Sequence, residues 1–350
     1  MPLADGYGPR SKRQRYTSGG RSRPIAKLPT LHHWPPTGKV GGISNRSLMQ
    51  SLQCFMENFL REATTMGKAS TSLSFLIPVV FSDLDGTLLD HEDYSFSAAE
   101  PALLALHKRH VCLILASSKT RAEMTAIAGE TGAGGLIFEN GGGIVWPGGF
   151  APVSSSGTPG PDYLCIRHFI SSLPGELRKC LTGFGDMSVA DVAAQTGLSL
   201  EQARLARQRE FSEPFVWTCT PQELDEVAQK ASDRGLRVIR GGRFNTLTGQ
   251  QDKASRLLEM REGLSSACPP DQQIWTIALG DAPNDAAMLE AADRGFIIAN
   301  PHGATIPELE GERDGRITRS TASGPSGWNE SVMLALKEVD MINSRKPAHG

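Results

Sequence analysis

Two carboxylates one residue apart, Asp83 and Asp85, close the apolar run Val79-Val80-Phe81-Ser82 and are followed by Gly86 and Thr87. Like charges held this close at a strand end repel, so the pattern requires a cation between them. Glycine allows a tight turn in which backbone N–H groups face an anion. Carboxylates, a hard cation and converging donors describe phosphoryl transfer. Taken alone, the segment could equally be a solvated turn, and what separates the two readings lies downstream. Ser117 ends a second apolar run and offers a hydroxyl and an N–H to a phosphate oxygen. Lys253, beside Asp252 at a helix start, could bring a point charge to a phosphoryl group. Gly280-Asp281-Ala282-Pro283-Asn284-Asp285 closes a third apolar run, and its proline marks a helix start. A third carboxylate, Asp281, thus arrives at a strand end that could lie beside the first.

Such a convergence needs parallel strands whose carboxyl ends share one edge. The chain supplies them: a strand ending at Phe81, a helix over 98–109, a strand over 111–116, a helix to about 131, a strand over 135–139 and, much later, a strand over 274–279. Strand and helix alternate, which predicts an α/β fold with a Rossmann-like parallel-sheet core. Between 147 and 243 the rhythm changes to Gly/Pro-rich chain, helices and short strands, so an α+β cap domain is read as inserted between core segments 74–146 and 244–342. Within the cap, Arg209-Glu210-Phe211-Ser212 and Gly241-Gly242-Arg243-Phe244 gather groups that could read a carboxylate and hydroxyls, an arginine being suited to the former. Residues 189–202 resemble a helix-turn-helix, with Gly197 at the turn, Ser199 and Gln202 as a capping box, and Arg204, Arg207 and Arg209 beyond.

The whole chain of 350 residues carries a net charge of −2. Residues 1–47 hold nine Lys/Arg against one acid, leaving about −10 for the rest. The lookalike helix-turn-helix sits in that acidic body, which does not favour nucleic acid as a partner; the alternative reading is a nucleic-acid arm in the basic extension. Residues 1–47 are poor in groups that could bury and are read as disordered, as is the tail 343–350. Between them and the core, residues 48–73 read as an amphipathic helix and linker, with Leu48, Leu52, Phe55, Met56, Phe59 and Leu60 at helical spacing. Six widely spaced cysteines predict reduced thiols in a cytoplasmic protein. No apolar stretch approaches the length of a membrane span, and no secretory leader is apparent. Oligomeric state leaves no mark in the sequence.

In order, Asp-x-Asp-Gly-Thr, a strand-end serine, a lysine and Gly-Asp-x-x-Asn-Asp form a specific set, and residues 77–340 resemble the haloacid dehalogenase (HAD) superfamily of phosphatases. Ser117-Ser118-Lys119-Thr120, Arg209 to Pro214, Gly241 to Phe244 and Gly280 to Asp285 are similar in particular to the mannosyl-3-phosphoglycerate phosphatases of its large α/β-cap subgroup. The resemblance implies that Asp83 is the nucleophile and that Asp85 is the proton donor and acceptor. It implies Mg²⁺ on Asp83, Asp85 and Asp281, phosphate held by Ser117 and Lys253, and Asn284 and Asp285 behind them. Arg209, Glu210, Ser212 and Arg243 would bind a small sugar-phosphate substrate. Glucosyl-3-phosphoglycerate or another sugar phosphate, such as sucrose phosphate, stays open as the substrate. Ala254 and Thr246 stand where that family often has glycine and histidine, and Thr246 bears on the choice of sugar.

Overall fold

The computed structural model describes residues 75–149, 160–241 and 243–344, with the short strands Lys39–Val40 and Ile43–Ser44. Those two strands pair antiparallel within the stretch expected to be disordered. The amphipathic helix expected near residue 48 lies outside the described residues. In the core, β1 (Phe75–Ser82), α1 (Glu100–Lys108), β2 (Cys112–Ala116), α2 (Arg121–Thr131), β3 (Gly135–Phe138) and β4 (Gly143–Val145) precede the cap.

The cap contains α3 (Tyr163–Ser172), β5 (Leu181–Gly183), α4 (Val189–Thr196), α5 (Leu200–Ala206), β6 (Ser212–Trp217), α6 (Pro221–Ser232), β7 (Arg237–Ile239) and β8 (Asn245–Thr248). The core resumes with α7 (Lys253–Ala267), β9 (Gln272–Gly280), α8 (Ala286–Ala291), β10 (Arg294–Ala299), β11 (Ile317–Ser323) and α9 (Gly324–Ser344).

The core sheet runs β11-β10-β9-β1-β2-β3-β4. All pairings are parallel except β3 with β4, so the expected parallel sheet carries one antiparallel edge strand. That reversal follows from the Asn140-Gly141-Gly142-Gly143 turn, which is too short for a crossover helix. Strand β1 lies between β9 and β2, in register from Gln272 opposite Phe75 to Leu279 opposite Ser82. Its residues alternate between two faces. Val79 and Phe81 enter a cluster with Ile114, Ala278, Leu257, Met260 and Met288, packed by α7 and α8. On the other side Trp328, fully buried on α9, donates from Nε1 to Ser82 Oγ (2.8 Å), and that hydroxyl donates to the Asp83 carbonyl (2.7 Å). The backbone that carries the first aspartate is therefore fixed from below. Asn343, in the stretch expected as a disordered tail, is in α9 and brackets Leu76 by accepting from its N–H and donating to its carbonyl.

The cap sheet is antiparallel in the order β5-β6-β8-β7. Helices α3 and α6 cover it through Ile166, Phe169, Ile170, Leu224 and Val227 against Phe215 and Leu247. Strand β8 corrects the boundary drawn at residue 243. Asn245–Thr248 pairs with both β6 and β7, a long-range pairing that no local residue pattern signals. The expectation of reduced cysteines is also corrected. Cys180 and Cys219 form a disulfide, because the antiparallel pairing of Leu181 with Trp217 brings their Cα atoms to 5.5 Å across 39 residues of sequence. Cys112, Cys165 and Cys268 are free.

The helix-turn-helix lookalike is real as two capped helices joined through Gly197 (φ +81), and Ser199 with Gln202 forms the expected capping box. Its arginines are engaged within the chain: Arg204 with Glu201, Arg207 with the Phe184 carbonyl, and Arg209 with the carbonyls of Ala206 and Ser118.

Replacing Trp328 by Phe keeps most of the ring but removes the donor to Ser82. The expected loss is about 1–3 kcal/mol of unfolding free energy, read from the urea midpoint.

Candidate active site

Strands β2, β1 and β9 are neighbours, and each delivers one residue just past its last: Ser117, Asp83 and Asp281. Asp83 N–H donates to the Leu279 carbonyl (2.9 Å), which carries the pairing of β1 with β9 up to the site. From the other core segment, Asp252 caps α7 by accepting from Ser255 N–H, and Lys253 enters the first turn. Its ammonium is buried between Asp83 Oδ1 (2.6 Å) and Asp285 Oδ1 (2.7 Å). The other Asp285 oxygen accepts from the N–H groups of Ala282 (3.1 Å) and Asp281 (3.3 Å). Asp281 is held by Thr87 Oγ1 on one oxygen (2.8 Å) and Asn300 Nδ2 on the other (2.5 Å).

Sequence reasoning missed Thr87 and Asn300 as partners of this carboxylate. Thr87 sits inside the Asp-Gly-Thr motif and could have been found there; nothing local marks Asn300. Gly86 has φ +79, and a Cβ on it would fall 2.7 Å from both Asn300 Nδ2 and Asp281 Oδ2. Glycine there is a condition of the close approach between the two loops.

Asp83, Asp281 and Asp285 each present an oxygen within 4.8 Å of the others. Burial pushes the Asp83 carboxyl well above its ordinary pKa; Asp285 pushes the same way and Lys253 opposes it. Burial likewise raises Asp281, against the hydrogen bonds from Asn300 and Thr87. Burial works against the Lys253 ammonium too, but Asp285 and Asp83 outweigh it and hold its pKa above the ordinary lysine value. Lys119 Nζ lies 2.8 Å from Asp85 Oδ1. Fully ionised, the four carboxylates Asp83, Asp85, Asp281 and Asp285 against the ammoniums of Lys253 and Lys119 leave two negative charges. The oxygen donor set and the residual charge fit a hard divalent cation.

No protein-family model matches the chain. The glucosyl-3-phosphoglycerate/mannosyl-3-phosphoglycerate phosphatase of Persephonella marina is 33% identical over 274 residues, 75% of this chain and 98% of the relative. Its counterpart from Methanococcoides burtonii is 32% identical over 266 residues, 73% of this chain and 96% of that one. The chain belongs to this phosphatase family.

It is a phosphoric monoester hydrolase of the HAD superfamily. The fold agrees: a HAD phosphatase from Bacteroides thetaiotaomicron, 17% identical, superposes with a TM-score of 0.51 over 79% of this chain and 99% of its own.

In this phosphatase the remaining expected residues fall into two groups. Ser117 is at the site, but its N–H donates to the Ile137 carbonyl (2.9 Å) and is not free for phosphate; its hydroxyl accepts from Lys119 N–H (3.2 Å). Asn284 is exposed on the loop beside Asp285. The cap residues serve largely to seat the cap. Glu139, buried with φ +52, accepts from Glu210 N–H (2.8 Å), Phe211 N–H (3.0 Å) and Ser212 Oγ (2.6 Å). Ser212 is thus buried and hydrogen-bonded to the core, not open to a sugar. Glu210 pairs with Arg121 (2.9 Å), and Arg209 donates to the Ser118 carbonyl (2.8 Å). Arg243 donates to the carbonyls of Gln195 and Thr196 at the end of α4, as a cation at a helix C-terminus does. The turn after Glu139 fits only glycine at Gly141, whose added Cβ would lie 2.4 Å from the Asp252 backbone.

A carboxyl whose pKa is raised on folding binds its proton more tightly in the folded chain. The stability it contributes is present at acid pH and is lost as pH rises through the folded pKa. Asp83 and Asp281 are shifted in that sense, and a divalent cation would offset the loss. Added Mg²⁺ is expected to raise the thermal midpoint of metal-free protein more at pH 7.5 than at pH 5. An equal or smaller rise at pH 7.5 would contradict the assignment.

Proposed function

We propose that the chain hydrolyses mannosyl-3-phosphoglycerate and its glucosyl counterpart, releasing phosphate and the glycosylglycerate through a phosphoryl group carried on Asp83. The observation that carries this reading is the Asp83 carboxylate fixed against Lys253 within a cluster of acids, in a chain one-third identical to relatives named for those two substrates. Mg²⁺ is the cation proposed, held by Asp83, Asp281 and the Asp85 carbonyl with Asp285 close by. Bound there, it would supply a positive charge against the phosphate oxygens.

The chain's own residues carry the chemistry. Lys253 holds the Asp83 carboxylate in place and neutralises part of the charge brought by the incoming phosphoryl group. An Asp83 oxygen attacks phosphorus, and the bond from phosphorus to the glyceryl oxygen breaks. Asp85, two residues on and open to the substrate side, gives that oxygen its proton. After the alcohol leaves, Asp85 takes a proton from water, whose oxygen attacks phosphorus and frees Asp83. The Ser117 hydroxyl, at the adjacent strand end, is the proposed hydrogen-bond donor to a phosphoryl oxygen. Glu210, at the junction of cap and core, is the cap group best placed to meet the sugar, while Arg209 is held by the carbonyls of Ala206 and Ser118.

Among the described residues no helix is long and apolar enough to cross a membrane. A cytoplasmic site of action is proposed, against which stands the Cys180–Cys219 disulfide, a bond rare in reducing compartments. Nucleic-acid binding through the basic N-terminal arm is not favoured, and the cap arginines it would draw on are occupied within the chain.

Phosphate release with Mg²⁺ from mannosyl-3-phosphoglycerate, glucosyl-3-phosphoglycerate, sucrose phosphate and 3-phosphoglycerate, compared by kcat/KM, tests the reading. The two glycosyl phosphoglycerates should lead; equal turnover of all four would remove the proposed specificity. Asp83→Asn should lower kcat on the order of 10⁴-fold or more, because it removes the attacking carboxylate oxygen. Retained activity in this variant would rule out the nucleophile.

A further inference from the structure

We propose that Lys119 reads the carboxylate of the phosphoglyceryl group, and that it does so by exchanging Asp85 for the substrate. The inference rests on the substrate reading above. Lys119 is mostly covered and the Asp85 Oδ1 that it meets is buried, while the Asp85 side chain as a whole is 40% exposed, so the pair lies at the inner edge of the open side of the site. The ammonium lies 5.5 Å from the centre of the Tyr94 ring, which walls it on one side. Its backbone is fixed at both ends of the peptide: the N–H donates to Ser117 Oγ, and the carbonyl accepts from Glu139 N–H (2.9 Å). The cation therefore extends from a rigid strand-end turn next to the proposed phosphate-binding serine.

The other cations around the site have partners that are costly to give up. Lys253 is buried between Asp83 and Asp285. Arg209 and Arg243 donate to backbone carbonyls, which would be left unpaired if either turned to a ligand. Arg121 is paired with Glu210 of the cap. Lys119 alone among them is paired with the carboxylate that must handle the leaving group's proton. Exchanging one carboxylate for another at this ammonium keeps an ion pair of the same kind and frees the Asp85 side chain to turn to the leaving oxygen.

The chemistry of the ligand places its second anion in the same spot. In a 3-phosphoglyceryl ester, carboxylate and phosphate share one three-carbon unit, so the carboxylate must be read beside Asp85 and not far out in the cap. Lysine, with three rotatable donors, suits a partner that has to be exchanged; a forked guanidinium would hold it in one geometry. An ester lacking the carboxylate would leave Asp85 paired.

The test compares two ligands that differ in that group. Calorimetric binding of 3-phosphoglycerate, glycerol 3-phosphate and inorganic phosphate, with Mg²⁺ present, is measured on Asp83→Asn protein with and without Lys119→Met. With Lys119 present, 3-phosphoglycerate should bind about tenfold or more tighter than glycerol 3-phosphate. Lys119→Met should bring the two within about twofold, with inorganic phosphate changed by less than about threefold. Lys119→Arg should keep part of the preference, and Lys119→Gln replaces the methionine variant if that protein does not fold. A preference that survives Lys119→Met, one absent with Lys119 in place, or an equal loss for all three ligands would overturn the proposal. Failure of the substrate reading shows separately, as the absence of preference for the glycosyl phosphoglycerates in the turnover panel.

Discussion

Everything at this site depends on keeping several carboxylates close together out of water. Asp83, Asp281 and Asp285 would repel one another in a buried pocket, and one buried ammonium, Lys253, is the cation the chain itself places among them. The lysine is costly to bury alone and so are the acids; each is tolerable only because the other is present. The lysine comes from the first turn of α7, in the second core segment, and Asp83 from the end of β1 in the first. The pair closes only when both segments have folded into one sheet, 170 residues apart in sequence.

The supports around the cluster follow the same logic. Trp328 and Ser82 fix the backbone below Asp83, while Thr87 and Asn300 occupy both oxygens of Asp281. A carboxylate that has to accept a cation or attack phosphorus must be held against its neighbours' repulsion, and buried hydrogen bonds do this with little loss of freedom at the moment of reaction. Gly86 and Gly141 are needed because loops from distant segments approach more closely than a Cβ would allow.

Cap and core meet through a different device. Glu139, at the end of β3, accepts two N–H groups and a hydroxyl from the three consecutive cap residues Glu210, Phe211 and Ser212. These are members of the motif that looked like a substrate reader in the sequence. Their backbone and the Ser212 side chain seat the cap, which leaves side chains at the rim, Lys119 among them, to meet a ligand. The disulfide between Cys180 and Cys219 ties two cap strands at their ends and lies within the cap alone.

The core of the site was legible because it is written in short motifs at strand ends. Alternating apolar runs give parallel strands, and the chemistry of an α/β sheet gathers at their carboxyl edge. Asp83, Ser117, Lys253 and Asp281 could therefore be named as candidates, and an inserted cap expected, from the chain alone. The partner choices could not be read, because Asn300 with Asp281, Lys119 with Asp85 and Glu139 with Ser212 are contacts between segments far apart in sequence, made by residue types that are common on any surface. The same holds for β8, whose place in the cap sheet is set by pairing with β6 and β7, and for Cys180 and Cys219. The sequence by itself determined the sheet, the acids and the phosphatase chemistry they imply, since periodicity and motif spacing are local. Only the tertiary structure decided which groups neutralise, orient and cover those acids, since burial and distance are properties of segments brought together by folding.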